Sequence, residues 1–248
     1  MVIMRSFKII PVIDILNSKA VHAIKGERVN YKPLKSHLFK SSNPIEIIKV
    51  LNHKYSFNEF YIADLDSILK KKPNFRILKK ILDIASIKVI IDPGIVNLKD
   101  ILQFSKIKFK GLILGLETIK NIEIISQSLN IIGQNKVIVS FDMYKGKILS
   151  NAKDLKNQNP LKLIKKIESL GIKELILLDL YRVGQKLGGI PLLYIEIMQN
   201  YNGNIFVGGG IKNYNDILDY KEQNFSGVLI ATALYDGTIN IEKLRKFL

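Results

Sequence analysis

Unbroken apolar runs separated by stretches of helical period dominate the chain. Runs at 7–13, 59–63, 88–91, 111–114, 136–141, 174–178, 204–207 and 227–230 are continuous in Ile, Val and Leu rather than alternating, the pattern of strands covered on both faces. Most end in Asp or Gly and lead through a polar turn into a segment with helical spacing. Pro44-Ile-Glu-Ile-Ile-Lys-Val-Leu51 follows Asn43, and Pro160-Leu-Lys-Leu-Ile-Lys-Lys-Ile167 follows Asn159. A proline in the first turn behind an asparagine that can cap it marks a helix start. Eight such strand-helix units in 248 residues predict an α/β fold, a closed (β/α)8 TIM barrel.

The pattern also repeats. Glu59-Phe-Tyr-Ile-Ala-Asp64-Leu-Asp66 recurs as Glu174-Leu-Ile-Leu-Leu-Asp179-Leu-Tyr181, and Lys88-Val-Ile-Ile-Asp-Pro-Gly94-Ile as Asn204-Ile-Phe-Val-Gly-Gly-Gly210-Ile. Phe109-Lys-Gly-Leu-Ile-Leu-Gly115 returns as Phe225-Ser-Gly-Val-Leu-Ile-Ala231, so the offset stays at 115 to 116 residues. An internal duplication predicts two half-barrels, about 1–130 and 131–248, within one domain covering 1–248. An open doubly wound sheet is the rival, but it needs a glycine-rich turn after the first strand. Here that strand runs into Pro11-Val-Ile-Asp14-Ile-Leu-Asn-Ser, without glycine.

Composition narrows the chemistry. With no cysteine, disulfides, thiolate catalysis and cysteine metal sites are excluded. No 18-residue apolar run occurs and the first strand begins within a few residues of Met1, so the expectation is a cytoplasmic protein without membrane contact. The net charge of +16 comes mostly from lysine runs such as Lys70-Lys71-Lys72. These read as a solvated face, with a general attraction for anionic ligands as the functional alternative. Arginine is scarce and no basic patch is interleaved with aromatics, so nucleic acid is not expected as a partner. His22, His37 and His53 lack ligand-like spacing and read as surface or packing residues; neither a metal nor another cofactor is expected.

In such a barrel, ligands meet the C-terminal ends of the strands. Asp14 ends strand one and Asp142 ends strand five, across the ring, in corresponding surroundings. Two carboxylates flanking a substrate can divide acid and base work if their environments separate their pKa values. Alternatively each accepts loop amides or pairs with Lys19 or Lys147 and shapes the rim. Gly208-Gly209-Gly210 after strand seven and Ala231-Thr232 after strand eight form a corner where backbone amides can approach a phosphate closely.

Ile10-Pro-Val-Ile-Asp14, Ala20-Val-His22-Ala-Ile-Lys-Gly26, Ala63-Asp-Leu-Asp66, Val207-Gly-Gly-Gly-Ile211 and Gly227-Val-Leu-Ile-Ala-Thr-Ala-Leu-Tyr-Asp-Gly237 together resemble the histidine-biosynthesis isomerase family, HisA, over essentially the whole chain. The resemblance implies a cofactor-independent Amadori rearrangement of a phosphoribosyl aminoaldose to an aminoketose, with Asp14 as general base and Asp142 as general acid. In the cyclase sister, HisF, the first strand commonly carries cysteine, so Pro-Val-Ile-Asp14 favours the isomerase side. Lys25, Asp64, Asp179 and Arg182 are further candidate substrate contacts in these matched segments and loops, and Asp92 and Glu117 are candidates where the chain departs from the family.

Three loops depart from the family pattern. Asp92-Pro93-Gly94-Ile95-Val96 stands where Gly-Gly-Gly-Ile-Arg is usual, Gly115-Leu116-Glu117 where Gly-Thr is usual, and Arg182-Val183-Gly184-Gln185 lacks an acidic residue. The missing arginine would have to be replaced by lysines such as Lys25 or Lys120. Asp92 and Glu117 either bind an amine, hydroxyls or a cation where a second phosphate would sit, or merely cap the next helix and pair with Lys120. Three functions stay open: an isomerase on a phosphorylated sugar or ribotide, a lyase or synthase on a smaller monophosphate, and a non-catalytic phosphate binder. A monomer or small homo-oligomer is expected.

Overall fold

The computed structural model describes residues 7–247. Eight strands close into a parallel barrel: Lys8–Leu16, Glu59–Asp64, Lys88–Asp92, Gly111–Gly115, Val137–Tyr144, Glu174–Asp179, Asn204–Gly208 and Gly227–Ile230, numbered one to eight below. Each pairs in parallel with the next, and strand one closes the ring against strand eight with Ile9 beside Val228. Helices alternate with the strands, as the periodicity predicts. Asn43 and Asn159 accept from the amides of Ile45 and Lys162, with Pro44 and Pro160 in the first turns.

The continuous apolar runs reflect two buried faces. Inside the barrel, Ile10, Tyr61, Ile90, Ile113, Ile138, Ile176, Phe206 and Leu229 come one from each strand and pack together. Outward residues such as Ile9, Ile62, Ile91, Val139 and Leu177 pack under the helices. At the N-terminal end of the barrel, buried Glu59 is clamped between Lys8 at 3.0 Å and Lys110.

Strands one and five run farther than their apolar runs. Each continues into a hairpin, strand one pairing antiparallel with Lys19–His22 and strand five with Lys147–Ile148. Asp14 and Asp142 therefore lie within their strands, two residues before the end, rather than at it. The duplication shows in local chemistry as well. The helices Leu98–Phe104 and Tyr214–Glu222 start with matching capping boxes, Asn97 with Asp100 and Asn213 with Asp216.

Candidate active site

A cavity of about 1050 Å³, counted to its open mouth, occupies the C-terminal end of the barrel. Asp14, Arg28, Tyr61, Asp92, Glu117 and Asp142 line one end, and Gly208, Gly209, Gly210, Ala231, Thr232 and Lys186 the other. Both proposed catalytic aspartates and the whole expected phosphate corner therefore face one space. Lys25, Asp64, Asp179 and Arg182 are not among the lining residues.

The two aspartates have different surroundings. The Asp14 carboxylate has no hydrogen-bond partner among the described residues, and Lys19 is not paired with it. Burial pushes its pKa up to about 7, with the charge of Asp92 adding to the rise and Arg28 opposing it. Asp142 is held by the Ser140 hydroxyl at 2.6 Å and the Glu117 amide at 3.2 Å, not by Lys147. Burial, then the Glu117 charge, keep its carboxyl well above the usual carboxylate range. A side chain on Gly115 would come within 2.9 Å of Asp142 Oδ2, so glycine there leaves the carboxylate its place.

Asp92 and Glu117 enter the same end of the cavity. The Tyr61 hydroxyl donates to Asp92 at 2.7 Å and the Gly94 amide at 3.1 Å, and burial raises the Asp92 pKa. The cap of the helix after strand three is Asn97, so Asp92 does not have that role. Glu117 pairs with Arg28 at 2.5 Å, and Lys120, the partner expected for it, is exposed and forms no ion pair with it. Neither Lys25 nor Lys120 stands in for a family arginine in the cavity; Arg28 is the guanidinium there.

The opposite corner depends on glycine. Gly209 and Gly210 have φ of 81° and 86°, and a Cβ on Gly210 would lie 2.8 Å from Arg182 Nε. Arg182 donates to the carbonyls of Gly188 at 2.6 Å and Gly189 at 2.9 Å, bracing the glycine loop from behind. At the rim, His22 Nε2 lies 3.0 Å from the Thr232 hydroxyl, and burial lowers the pKa of its imidazole. Lys186 reaches Asp236 at 2.7 Å and Thr238 at 2.9 Å.

Asp64 and Asp179 sit outside the cavity and engage backbone amides. Asp64 accepts from Ser67 and Asn74, and Asp179 from Tyr181, Lys145 and Gly146, the last two in the hairpin turn after strand five. Lys25 lies on the rim, its amide donating to Val183 O at 2.8 Å.

Sequence reasoning missed Arg28, Tyr61, His22 and Lys186. For Arg28 a signal existed, since it is one of only five arginines among 38 basic residues and sits in a loop at the ligand-binding end. His22, expected as a surface or packing residue, is instead tied through Thr232 to the corner expected to bind phosphate. That bond spans 210 positions in the chain, which no local pattern can reveal. Among the described residues, no group of three or more His, Asp or Glu is placed to hold a metal ion, and no helix is long and apolar enough to cross a membrane.

The chain has relatives among known proteins. Residues 8–240 match the family described as histidine biosynthesis protein. The chain belongs to that family. One relative, an uncharacterised protein of Methanocaldococcus jannaschii, is 33% identical over 96% of this chain and 97% of its own length. Another, from Lactococcus lactis subsp. cremoris, is 30% identical over 95% of this chain and 94% of its own. It is named 1-(5-phosphoribosyl)-5-((5-phosphoribosylamino)methylideneamino)imidazole-4-carboxamide isomerase. A protein of Methanococcus vannielii with the same name is 29% identical over 94% of this chain and 96% of its own. Members of this histidine-biosynthesis family thus include isomerases named for a ribotide and a relative of unassigned activity.

Proposed function

We propose that this protein is a cofactor-independent isomerase of a phosphorylated ribotide, converting an aminoaldose to an aminoketose. The observation that carries the reading is the unequal pair of aspartates, Asp142 buried and Asp14 partly buried, facing one cavity whose far end is the glycine corner. Asp142, whose carboxyl burial and the Glu117 charge keep protonated to higher pH than an ordinary carboxylate, is the general acid. Asp14, at about 7, is ionised in a large fraction of molecules and is the general base. The phosphate rests on Gly208, Gly209, Gly210, Ala231 and Thr232, beside Lys186, whose ammonium is paired with Asp236 at the rim.

The reaction balances with these two groups. Asp142 protonates the ring oxygen, the bond from that oxygen to C1 breaks, and the lone pair of the attached nitrogen forms the C1–N double bond. Asp14 takes the proton from C2, and those electrons form the C1–C2 double bond of an enol amine as the C1–N π pair returns to nitrogen. Asp14 returns its proton to C1 while the C2 hydroxyl gives up its proton, which restores Asp142, and the C2 carbonyl forms; both carboxyls end as they began, with no net change in protons or electrons. Burial keeps bulk water from levelling the two carboxyls.

The test is turnover of N-substituted 5-phosphoribosylamines by wild type, Asp14→Asn and Asp142→Asn. A loss of roughly 10²- to 10⁴-fold in each variant, with phosphate affinity retained, is expected for general acid-base residues. Equal turnover in all three proteins would overturn the assignment of roles. Binding of these compounds without turnover of any of them would overturn the isomerase itself.

A further inference from the structure

The two halves of the barrel place equivalent loops at opposite ends of the cavity, and the loops differ in which backbone amides they leave available. The repeat aligns Asp92-Pro93-Gly94 with Gly208-Gly209-Gly210, and Leu116-Glu117 with Thr232-Ala233. In the first half, every amide of this set is spoken for or missing. Pro93 has no N–H, Gly94 donates to Asp92 at 3.1 Å, Leu116 to Ser140 O at 3.0 Å and Glu117 to Asp142 at 3.2 Å. Gly94 keeps the positive φ of its counterpart Gly210, at 65° against 86°, so the turn persists while its amide faces inward to a carboxylate. The corner is closed to an anion by its own acid groups.

Charge points the same way. Asp14, Asp92, Glu117 and Asp142 share this end with a single guanidinium, Arg28, whose charge is already matched by Glu117 at 2.5 Å. Asp14 faces the space with no hydrogen-bond partner among the described residues, leaving an acceptor open to a ligand. We propose that the substrate carries one phosphate, on the second-half corner, and presents an amine or other cationic hydrogen-bond donor, not a second phosphate, to Asp92, Glu117 and Asp14. This rests on the isomerase reading above for the phosphate corner and deepens it by naming the other end of the substrate. A second phosphate would set a dianion beside Asp92 and Asp14, which have no cationic partner of their own, with no free amide in this set of loops to receive it.

Two matched ligand pairs, measured by calorimetry on the intact protein at pH 7.5, test the proposal. Glucose 6-phosphate and glucosamine 6-phosphate differ by an amine in place of a hydroxyl; fructose 6-phosphate and fructose 1,6-bisphosphate differ by a second phosphate. The amine is expected to tighten binding about 10-fold, an advantage lost in Asp92→Asn/Glu117→Gln, and the second phosphate to give no gain. In Asp92→Gly/Glu117→Ala, which copies the second-half residues, the bisphosphate should gain about 10-fold over fructose 6-phosphate. A second phosphate that tightens wild-type binding 10-fold or more, with the gain lost in Arg28→Met, would overturn the proposal, as would an amine that gives no advantage. Failure of all four ligands to bind would instead remove the phosphate corner, and the isomerase reading with it. Gly209→Val should weaken all four alike, confirming that they share the corner.

Discussion

Replacing Asp14 by asparagine is expected to stabilise the protein above neutral pH while abolishing its turnover, because the fold partly buries the ionisable carboxyl of the proposed general base. Burial moves this group from 3.8 to about 7. Between those values the unfolded chain releases the proton and the folded chain keeps it, so the native state binds more protons and stability falls as pH rises. The contribution is fully present below about pH 3.8 and is lost as pH climbs through about 7. At about 1.4 kcal/mol per unit, the rise from 3.8 to about 7 is worth about 4 kcal/mol at alkaline pH. Asparagine keeps the shape without the charge. Urea unfolding of wild type and Asp14→Asn should therefore show the variant gaining about 3 to 4 kcal/mol relative to wild type between pH 4 and pH 8. Asp92 and Asp142 remain in both proteins, so most of their own pH dependence cancels in the difference. An unchanged difference between the two proteins across that range would show that Asp14 is not held out of water, and the base assignment would lose its physical ground. In the wild type, kcat/KM should rise with pH through about 7 as the base ionises.

Asp142→Asn should cut turnover by orders of magnitude and remove the alkaline fall of the rate profile, since protonated Asp142 is the proposed acid; sugar-phosphate affinity, read by calorimetry, should stay within a few-fold. Gly210→Ala places a Cβ 2.8 Å from Arg182 Nε at a φ of 86°; a stability loss of about 1–3 kcal/mol and weaker phosphate binding are expected, seen in thermal unfolding and titration. Glu59→Gln unpairs Lys8 and Lys110 at the far end of the barrel, so it should cost about 1–3 kcal/mol of stability and leave kcat and KM unchanged. The Glu59 pKa is lowered by its two lysines against the opposing effect of burial. Its contribution is present above the ordinary glutamate value and lost on acidification, opposite in sign to that of Asp14.

Much of the architecture was legible because it follows from local rules. Continuous apolar runs mean two covered faces, and each run proved to be one barrel strand. Asn43-Pro44 and Asn159-Pro160 start helices by a side-chain acceptor and a fixed φ, which need no distant partner. The ends of strands one and five were harder to place, because the hairpins that extend them draw their hydrogen bonds from Lys19–His22 and Lys147–Ile148, polar and mixed segments without the apolar signature.

The site divides along the same line. The chain alone determines that Asp14 and Asp142 stand at matching places near the C-terminal ends of corresponding strands and that a run of three glycines begins at the end of strand seven, since these depend on spacing and backbone freedom. Only the tertiary structure decides what each carboxylate feels. Asp64 and Asp179 carry the same sequence signal as acids after a strand, yet both are turned to backbone amides outside the cavity. Glu117 has a lysine three residues away but pairs with Arg28, which is 89 positions distant. Burial, ion pairing and the occupation of amides are sums over neighbours brought together by ring closure, and linear order does not record them.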